Sequence, residues 1–393
     1  MIRISTAQTF TNGVTNLQRK QIDLYETNDQ LTSGLRVRKP SDDPTAAAQA
    51  ERARALLQRT EAAKTATDAS RVSMQLSESA LGNAGDLLQE ARELVMGAGN
   101  GSYSDAERKD LASRIKGIRD QLLSVANRSN GAAGYVFAGQ GASQPPFLDG
   151  PGGVRYVGLS GQVQVASDEP LPLTLDGAGI WLAARGGNGV FETRATSSGA
   201  WIDAGRVTDP AAVTGDSYQI KFNPGGTYDI LKNGNPTAVT NATFASGQAI
   251  EVDGLAVTIT GSPSAGDTFD MTPAQPDTSV FDALDQIVAD LSTPGRSGAQ
   301  VTQAVQSGLA AIDAVAGHMQ SARAMTGEVL VRIDHIQSRN DDMTLFAQST
   351  RSAAEDLDLV KGLSDFQAQQ IGTQAAMQSY ARIQRMTLMD YLR

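Results

Sequence analysis

Between Val301 and Leu357 apolar residues recur at alternating steps of four and three: Val301, Val305, Ile312, Val315, Met319, Ala322, Val329, Ile333, Ile336, Met343, Ala347, Ala354 and Leu357. Gly308, Thr326, Asn340 and Thr350 occupy the remaining seam places. A 3.5-residue repeat with no proline after Pro294 predicts one long, slightly under-wound helix whose single stripe keeps facing a partner. At 1.5 Å per residue such a rod is roughly 85 Å long. A stripe that narrow leaves the helix dependent on other long helices lying against it.

The N-terminal third supplies candidates. Phe10, Val14, Leu17, Gln21, Leu24, Asn28, Leu31 and Leu35 repeat the same spacing, with amides at two places. An amide in a seam weakens it but can fix register and partner, so Gln21 and Asn28 read either as specificity devices or as weak spots in a solvated helix. Ser33-Gly34 predicts the helix end, with glycine taking the left-handed cap conformation. In Ser41-Asp42-Asp43-Pro44, Asp43 is placed to cap free amides and Pro44 suits a first helical position. That second helix is expected to reach about Val95 with Leu81, Ala84, Leu88, Ala91 and Val95 on its seam. A capping box at Ser104 and Glu107 opens a third helix, with Leu111, Ile115, Ile118, Leu122 and Val125 inward and an end near Asn130-Gly131.

Beyond Tyr135-Val-Phe-Ala-Gly139 the period changes to two, as in Ser217 to Phe222, Gly226 to Ile230 and Leu255 to Ile259, with Gly, Asn and Pro turns between. A short helix carrying Val280, Leu284, Ile287 and Leu291 leads into the long rod, and a less regular helix follows Leu359. Of 14 prolines, eleven lie between Pro145 and Pro276, so the chain reads as helix, inserted β domain, helix. The expected fold class is α+β: a long antiparallel helical bundle built from both chain ends, with a mostly antiparallel β insertion.

Charge and composition narrow the function. The 393 residues carry a net charge of -10, and the stretch from Leu148 to Gln275 holds 13 acidic against 6 basic residues. Basic residues are scattered, which argues against a nucleic-acid partner. With no cysteine, disulfides, thiolate metal sites and cysteine nucleophiles are excluded. No window approaches the apolar length of a membrane span, and the N-terminus lacks a cleavable signal core, so neither a membrane nor a standard secretion signal is expected.

Catalytic motifs are nearly absent. His318 and His335 lie too far apart on one helix to share a ligand and read as solvated positions. Gly139-Gln-Gly141 and Gly177-Ala-Gly179 lack the third glycine of a dinucleotide fingerprint and read as turns. Asp42 and Asp43 have no third ligand nearby, so capping outweighs a metal. No catalytic residue, cofactor or metal site is expected.

Several stretches resemble the flagellin superfamily: Leu31-Thr-Ser-Gly-Leu35, the Ser41-Asp-Asp-Pro44 cap, Val125-Ala-Asn-Arg-Ser129, Gly134-Tyr-Val-Phe-Ala-Gly139, Pro146-Phe147, and Ala381-Arg-Ile-Gln to Tyr391-Leu392. The Asp-Asp-Pro and Tyr-Val-Phe-Ala-Gly segments are similar to its hook-associated, junction-forming branch rather than to filament flagellin, which usually has alanine after its two aspartates. The insertion agrees more loosely, around Ser246 to Ile250 and Gly261 to Phe269. The resemblance implies a non-enzymatic structural part of the bacterial flagellum linking hook to filament. Its partners would be a hook-associated protein below, flagellin above, copies of itself in a ring, and a cytoplasmic export chaperone. Export would run through the flagellar type III channel without a cleaved signal.

On this reading residues 1–40 and 359–393 are axial helices that pair, 41–144 and 277–358 are rod helices, and 145–276 is an outward β domain. The implied assembly interface is Phe10, Val14, Leu17, Gln21, Leu24, Asn28, Leu31, Phe366, Ile371, Tyr380, Ile383 and Leu388. The alternatives are filament flagellin and, in a different class, an extracellular enzyme housed in the β domain.

Overall fold

A computed structural model describes residues 6–131, 134–142, 144–165 and 169–385. Its helices are α1 (Thr6–Ser33), α2 (Pro44–Ala98), α3 (Asp105–Ala126), α4 (Gly177–Trp181), α5 (Val280–Ser292), α6 (Gly298–Glu355) and α7 (Leu359–Arg385). Contacts divide the chain into two compact units, Met1–Thr65 with Ile336–Arg393, and Ala66–His335, so the division falls inside α2 and α6.

Helices α1 and α7 and the outer parts of α2 and α6 make up the first unit, joined by short connections. α1 ends at Gly34, whose φ of +71° is the left-handed cap conformation that glycine adopts without strain. α7 packs along α1. α2 and α6 run antiparallel here, with Arg54 paired to Glu355 at 2.5 Å and Lys64 to Asp341 at 2.6 Å. Val37, Ala46, Ala50 and Ala354 form a small buried cluster between them.

The second unit has the dense core. Leu81, Ala84, Leu88, Ala91 and Val95 of α2 are buried, as are Val301, Val305, Ile312, Val315 and Met319 of α6. Ile115, Ile118 and Leu122 of α3 and Val280, Leu284, Ile287 and Leu291 of α5 are buried too, and these two helices pack on each other. Gly308 marks the convergence: a methyl added there would meet Ile287 at 2.9 Å and Val95 at 3.5 Å. The seam place without a side chain is therefore where α6 approaches α2 and α5. Buried fully inside the chain, these apolar faces contribute roughly 1.5–3 kcal/mol per large side chain.

The insertion is two bodies rather than one. Its first stretch is built into the helical core: Trp181, fully buried, stacks on Phe281 of α5 at 5.9 Å and meets Phe137 edge-on at 5.5 Å. Phe147 is held by Asn127, whose side-chain amide donates to the Phe147 carbonyl at 2.8 Å and accepts from its N–H at 2.9 Å. Beyond it, residues from Phe191 to Met271 bury a separate core containing Ile202, Tyr218, Ile220, Phe222, Ile259 and Phe269. That core lies under antiparallel strands. Asn235–Pro236, Thr227–Lys232, Tyr218–Asn223, Thr268–Pro273 and Phe191–Ala195 are neighbours in this order, and Leu255–Gly261 pairs with both Ala249–Val252 and Ala200–Ile202.

Four expectations need correction. α3 stops at Ala126 instead of near Asn130: Asn127 is its C-cap, with a non-helical backbone, and its side chain pairs with the Phe147 backbone. α6 stops at Glu355 instead of Leu357, because the Leu357 N–H is taken by the Gly34 carbonyl at 2.9 Å. Met343 is 45% exposed and leaves the seam. His318 is not simply solvated: its Nε2 lies 2.7 Å from the Gly179 carbonyl of α4.

Candidate assembly interface

The pair formed by α1 and α7 is built differently from the core. No apolar side chain with described burial on either helix is buried; the buried side chains along the pair belong to Thr27 and Thr373. The Thr27 hydroxyl sits 2.9 Å from the Asp23 carbonyl and 2.8 Å from the Gln369 side-chain amide, giving a polar cross-link near the middle of the seam. Glycines set the spacing: a methyl on Gly13 would stand 3.3 Å from the Tyr380 ring, and one on Gly362 would stand 3.2 Å from Leu31. A groove of about 460 Å³ opens along the pair, lined by Gly13, Leu17, Lys20, Asp23, Ala376 and Tyr380 among others.

The predicted residues divide. Val14, Leu17, Leu24 and Leu31 of α1 and Phe366 and Tyr380 of α7 lie half-buried along the pair. Gln21 and Asn28 are exposed and lie off the contact between α1 and α7, and Ile371 is 68% exposed. The neighbouring position, Thr27, carries the polar contact instead, because α1 meets α7 through a face turned by one residue toward Gly13, Thr27 and Gly34. The side chains of Phe10 and Ile383, and all of Leu388, lie outside the described residues. Further apolar side chains face solvent: Ile22, Tyr25, Leu359, Val360, Leu363 and Met377 are each between 45% and 83% exposed.

A joint closes the same unit where the α1–α2 and α6–α7 connections meet. The N–H groups of Arg36 and Val37 both donate to the Glu355 carbonyl, at 2.7 and 3.3 Å, and Leu35 bridges Asp356 in antiparallel fashion. Arg36 donates through Nη2 to the Ala354 carbonyl at 2.7 Å and pairs through Nη1 with Asp43 at 3.3 Å. The buried Glu355 carboxylate receives Arg54 at 2.5 Å and Arg351 at 3.3 Å.

The two aspartates divide the capping work. Asp42 accepts from the backbone N–H of Arg38 and Lys39, while Asp43 accepts from those of Thr45 and Ala46 at the start of α2. The Ala46 amide, the Thr45 hydroxyl and the Arg36 guanidinium together hold the Asp43 carboxyl down to about 2. Sequence reasoning found the cap but missed Arg36 and Glu355, which look like ordinary surface charges until the two distant connections meet. Asp358 supplies the missed start signal of α7, accepting from Val360 and Lys361.

Among the described residues no group of three His, Asp or Glu side chains could hold a metal, and no helix is long and apolar enough to cross a membrane. Lys232, Tyr218, Asp253 and Asp216 form a polar cluster in the β insertion, with Lys232 at 2.7 Å from Asp253 and 2.9 Å from Asp216. Its members satisfy one another: Asp253 and Asp216 raise the Lys232 pKa, Lys232 lowers that of Asp253, and the Thr214 hydroxyl with Lys232 lowers that of Asp216.

Comparison with known proteins gives the same picture. The profile described as the bacterial flagellin N-terminal helical region matches residues 4–142, and that of the flagellar hook-associated protein 1 D2-like domain matches residues 190–273. The second match begins and ends with the independently cored part of the insertion. Flagellar hook-associated protein 3 of Salmonella typhimurium is 35% identical over 181 residues, 46% of this chain and 57% of that protein, so the match spans a little over half the relative's length. Among solved structures, FlgL of Xanthomonas campestris superposes with a TM-score of 0.70 at 29% identity, covering 77% of this chain and 99% of that one. The flagellar junction protein FlgL of Legionella pneumophila also gives 0.70, at 26% identity, covering 78% of this chain and all of its own, 100%. The chain thus carries a region that matches the flagellin N-terminal helical family, and it is similar to flagellar hook-associated protein 3.

Proposed function

We propose that this protein is a structural junction component of the bacterial flagellum, joining the hook, through another hook-associated protein, to the flagellin filament. One observation carries the reading: α1 and α7 pair through half-buried side chains while Ile22, Tyr25, Leu359, Val360, Leu363 and Met377 remain exposed. Clustered exposed apolar surface marks an interaction site, and a pair of helices with apolar residues on several faces has room for neighbouring subunits on each. The axial segments are residues 1–40 and 359–393, the rod helices 41–144 and 277–358, and the outward insertion 145–276. Copies of the chain would associate in a ring, export would proceed through the flagellar type III channel, and a cytoplasmic chaperone would cover the axial helices before assembly. The protein is extracellular in its working state and has no enzymatic role.

The competing reading is filament flagellin, and the two differ in how contacts propagate. A head-to-tail contact repeated without closure gives an open filament, whereas a junction subunit presents different faces to the components below and above. Purified protein held under salting-out conditions that polymerise flagellin is expected to remain monomeric or form small oligomers, and to add to the ends of isolated hooks once the underlying hook-associated protein is present. Long filaments of this chain alone in electron micrographs would reject the junction reading.

A further inference from the structure

The chain contains five Asn-Gly pairs, beginning at Asn12, Asn100, Asn130, Asn188 and Asn233. In such a pair the glycine nitrogen can attack the asparagine side-chain carbonyl carbon, because no Cβ on the following residue obstructs it. The attack needs a free N–H to lose its proton and a carboxamide able to carry negative charge on its oxygen.

Four pairs are protected by local structure. Gly13 lies inside α1, where its N–H belongs to the helix ladder. The Gly131 N–H donates to the Ser129 hydroxyl at 3.2 Å, and the Gly189 N–H donates to the Gly186 carbonyl at 3.1 Å. The Asn233 amide nitrogen is tied down: Nδ2 donates to Asp216 at 2.7 Å, a bond that must break before that nitrogen can leave as ammonia.

The remaining pair sits in the exposed turn between α2 and α3. Among the described residues the Gly101 N–H has no acceptor, and Asn100 and Gly101 are both exposed. The Asn100 Oδ1 accepts two hydrogen bonds, from Ser102 N–H at 3.0 Å and from the Ser102 hydroxyl at 2.9 Å. Two donors on a carbonyl oxygen stabilise the charge it gains as a tetrahedral centre forms, the same physics as an oxyanion hole.

We infer that Asn100-Gly101 is a self-modification site that deamidates ahead of the other four pairs, with Ser102 activating the carboxamide. The Gly101 nitrogen bonds to Asn100 Cγ, the Cγ–Nδ2 bond breaks, and ammonia leaves carrying the proton lost from Gly101. Water then opens the cyclic imide at either carbonyl, giving aspartate or isoaspartate. Both products place a new negative charge beside the first turn of α3, and isoaspartate adds a methylene to the main chain where the Asn100 carbonyl accepts from Tyr103 N–H at 3.1 Å.

The test is incubation of the full-length folded protein in mildly alkaline buffer, followed by digestion and mass spectrometry of all five pairs over time. Asn100 is expected to convert first, as mixed aspartate and isoaspartate. Ser102→Ala removes one of the two donors and should slow it about five- to tenfold, the factor corresponding to one lost hydrogen bond. Gly101→Ala should erase its lead. In denaturant the five pairs should convert at comparable rates. Conversion of Asn100 no faster than Asn188 or Asn233 in the folded protein, an unchanged rate in Ser102→Ala, or the same ranking in denaturant would each overturn the inference.

Discussion

The helices of the second unit and α1 carry the same four-three spacing of apolar residues, yet the first bury their stripe and α1, paired with the less regular α7, does not. Leu88, Val95, Ile312, Val315 and Met319 are at most 1% exposed, whereas no apolar side chain with described burial on α1 or α7 is buried. The difference lies in the number of neighbours. α6 meets both α5 and α2 at Gly308, while α1 is paired with α7 and its outer faces keep Ile22 at 56% and Tyr25 at 74% exposure. A heptad pattern thus states that a helix needs partners. It does not state whether they lie in the same chain.

The sharpest way to break this comparison is hydrogen exchange on the isolated chain. Amides of α1 and α7 should exchange on the order of a thousandfold faster than those of α3, α5 and the buried parts of α2 and α6, because opening free energy tracks buried apolar contact. Equal protection in both sets would mean that the terminal pair is stable alone and the contrast in burial has no energetic consequence.

On the core side, Trp181→Ala should cost about 3–5 kcal/mol, because its ring fills the space among Phe137, Phe147 and Phe281 and nothing mobile can replace it. The melting temperature of the second unit should fall by roughly 10 °C. A shift of only a degree or two would place the helical core's stability elsewhere. Arg119→Met tests the polar side of the same core. The guanidinium is buried, lies over Phe281 and pairs with Asp149 and with Asp285 at 3.1 Å, so its removal leaves two carboxylates facing each other. Those carboxylates are about half exposed, which lowers the expected cost to about 1–3 kcal/mol, read from the urea midpoint.

The joint should respond more weakly and with pH. Asp43→Ala removes a helix cap and should lower the helix content of the first unit modestly near neutral pH. Since the Asp43 carboxyl is held at about 2 in the folded chain, its contribution is present above the ordinary carboxylate range near 4 and is lost as pH falls toward 2. The difference in helix content between wild type and variant, followed by circular dichroism, should close over that acid window. A difference that persists below it would mean that the capping carboxylate is not the cause.

The smallest stability effect and the largest functional one should coincide at Leu17→Asp. The side chain is only half-buried, so the melting of the second unit should be unchanged, while addition to hook ends should be abolished because a charge placed in an assembled apolar seam costs several kcal/mol. Normal addition by this variant would remove α1 from the assembly surface.

The long helices and the apolar faces of the core were legible in the sequence, because periodicity, the Ser104–Glu107 box, the Asp43-Pro44 start and the Gly34 end are local signals; the ends of α3 and α6, the short helix α4 and the Asp358 start of α7 were not. The sequence also located the β insertion, through prolines and a period of two. Tertiary structure alone decided which seam residues meet: Thr27 rather than Asn28 faces Gln369, since a turn of the helix by one residue is invisible to a heptad repeat. It decided that Glu355 and Arg36 form a joint, because their contact joins connections some 320 residues apart. It divided the insertion into a part fused to the helices through Trp181 and a part with its own core, because an aromatic residue carries no mark in sequence of the partner it will stack on.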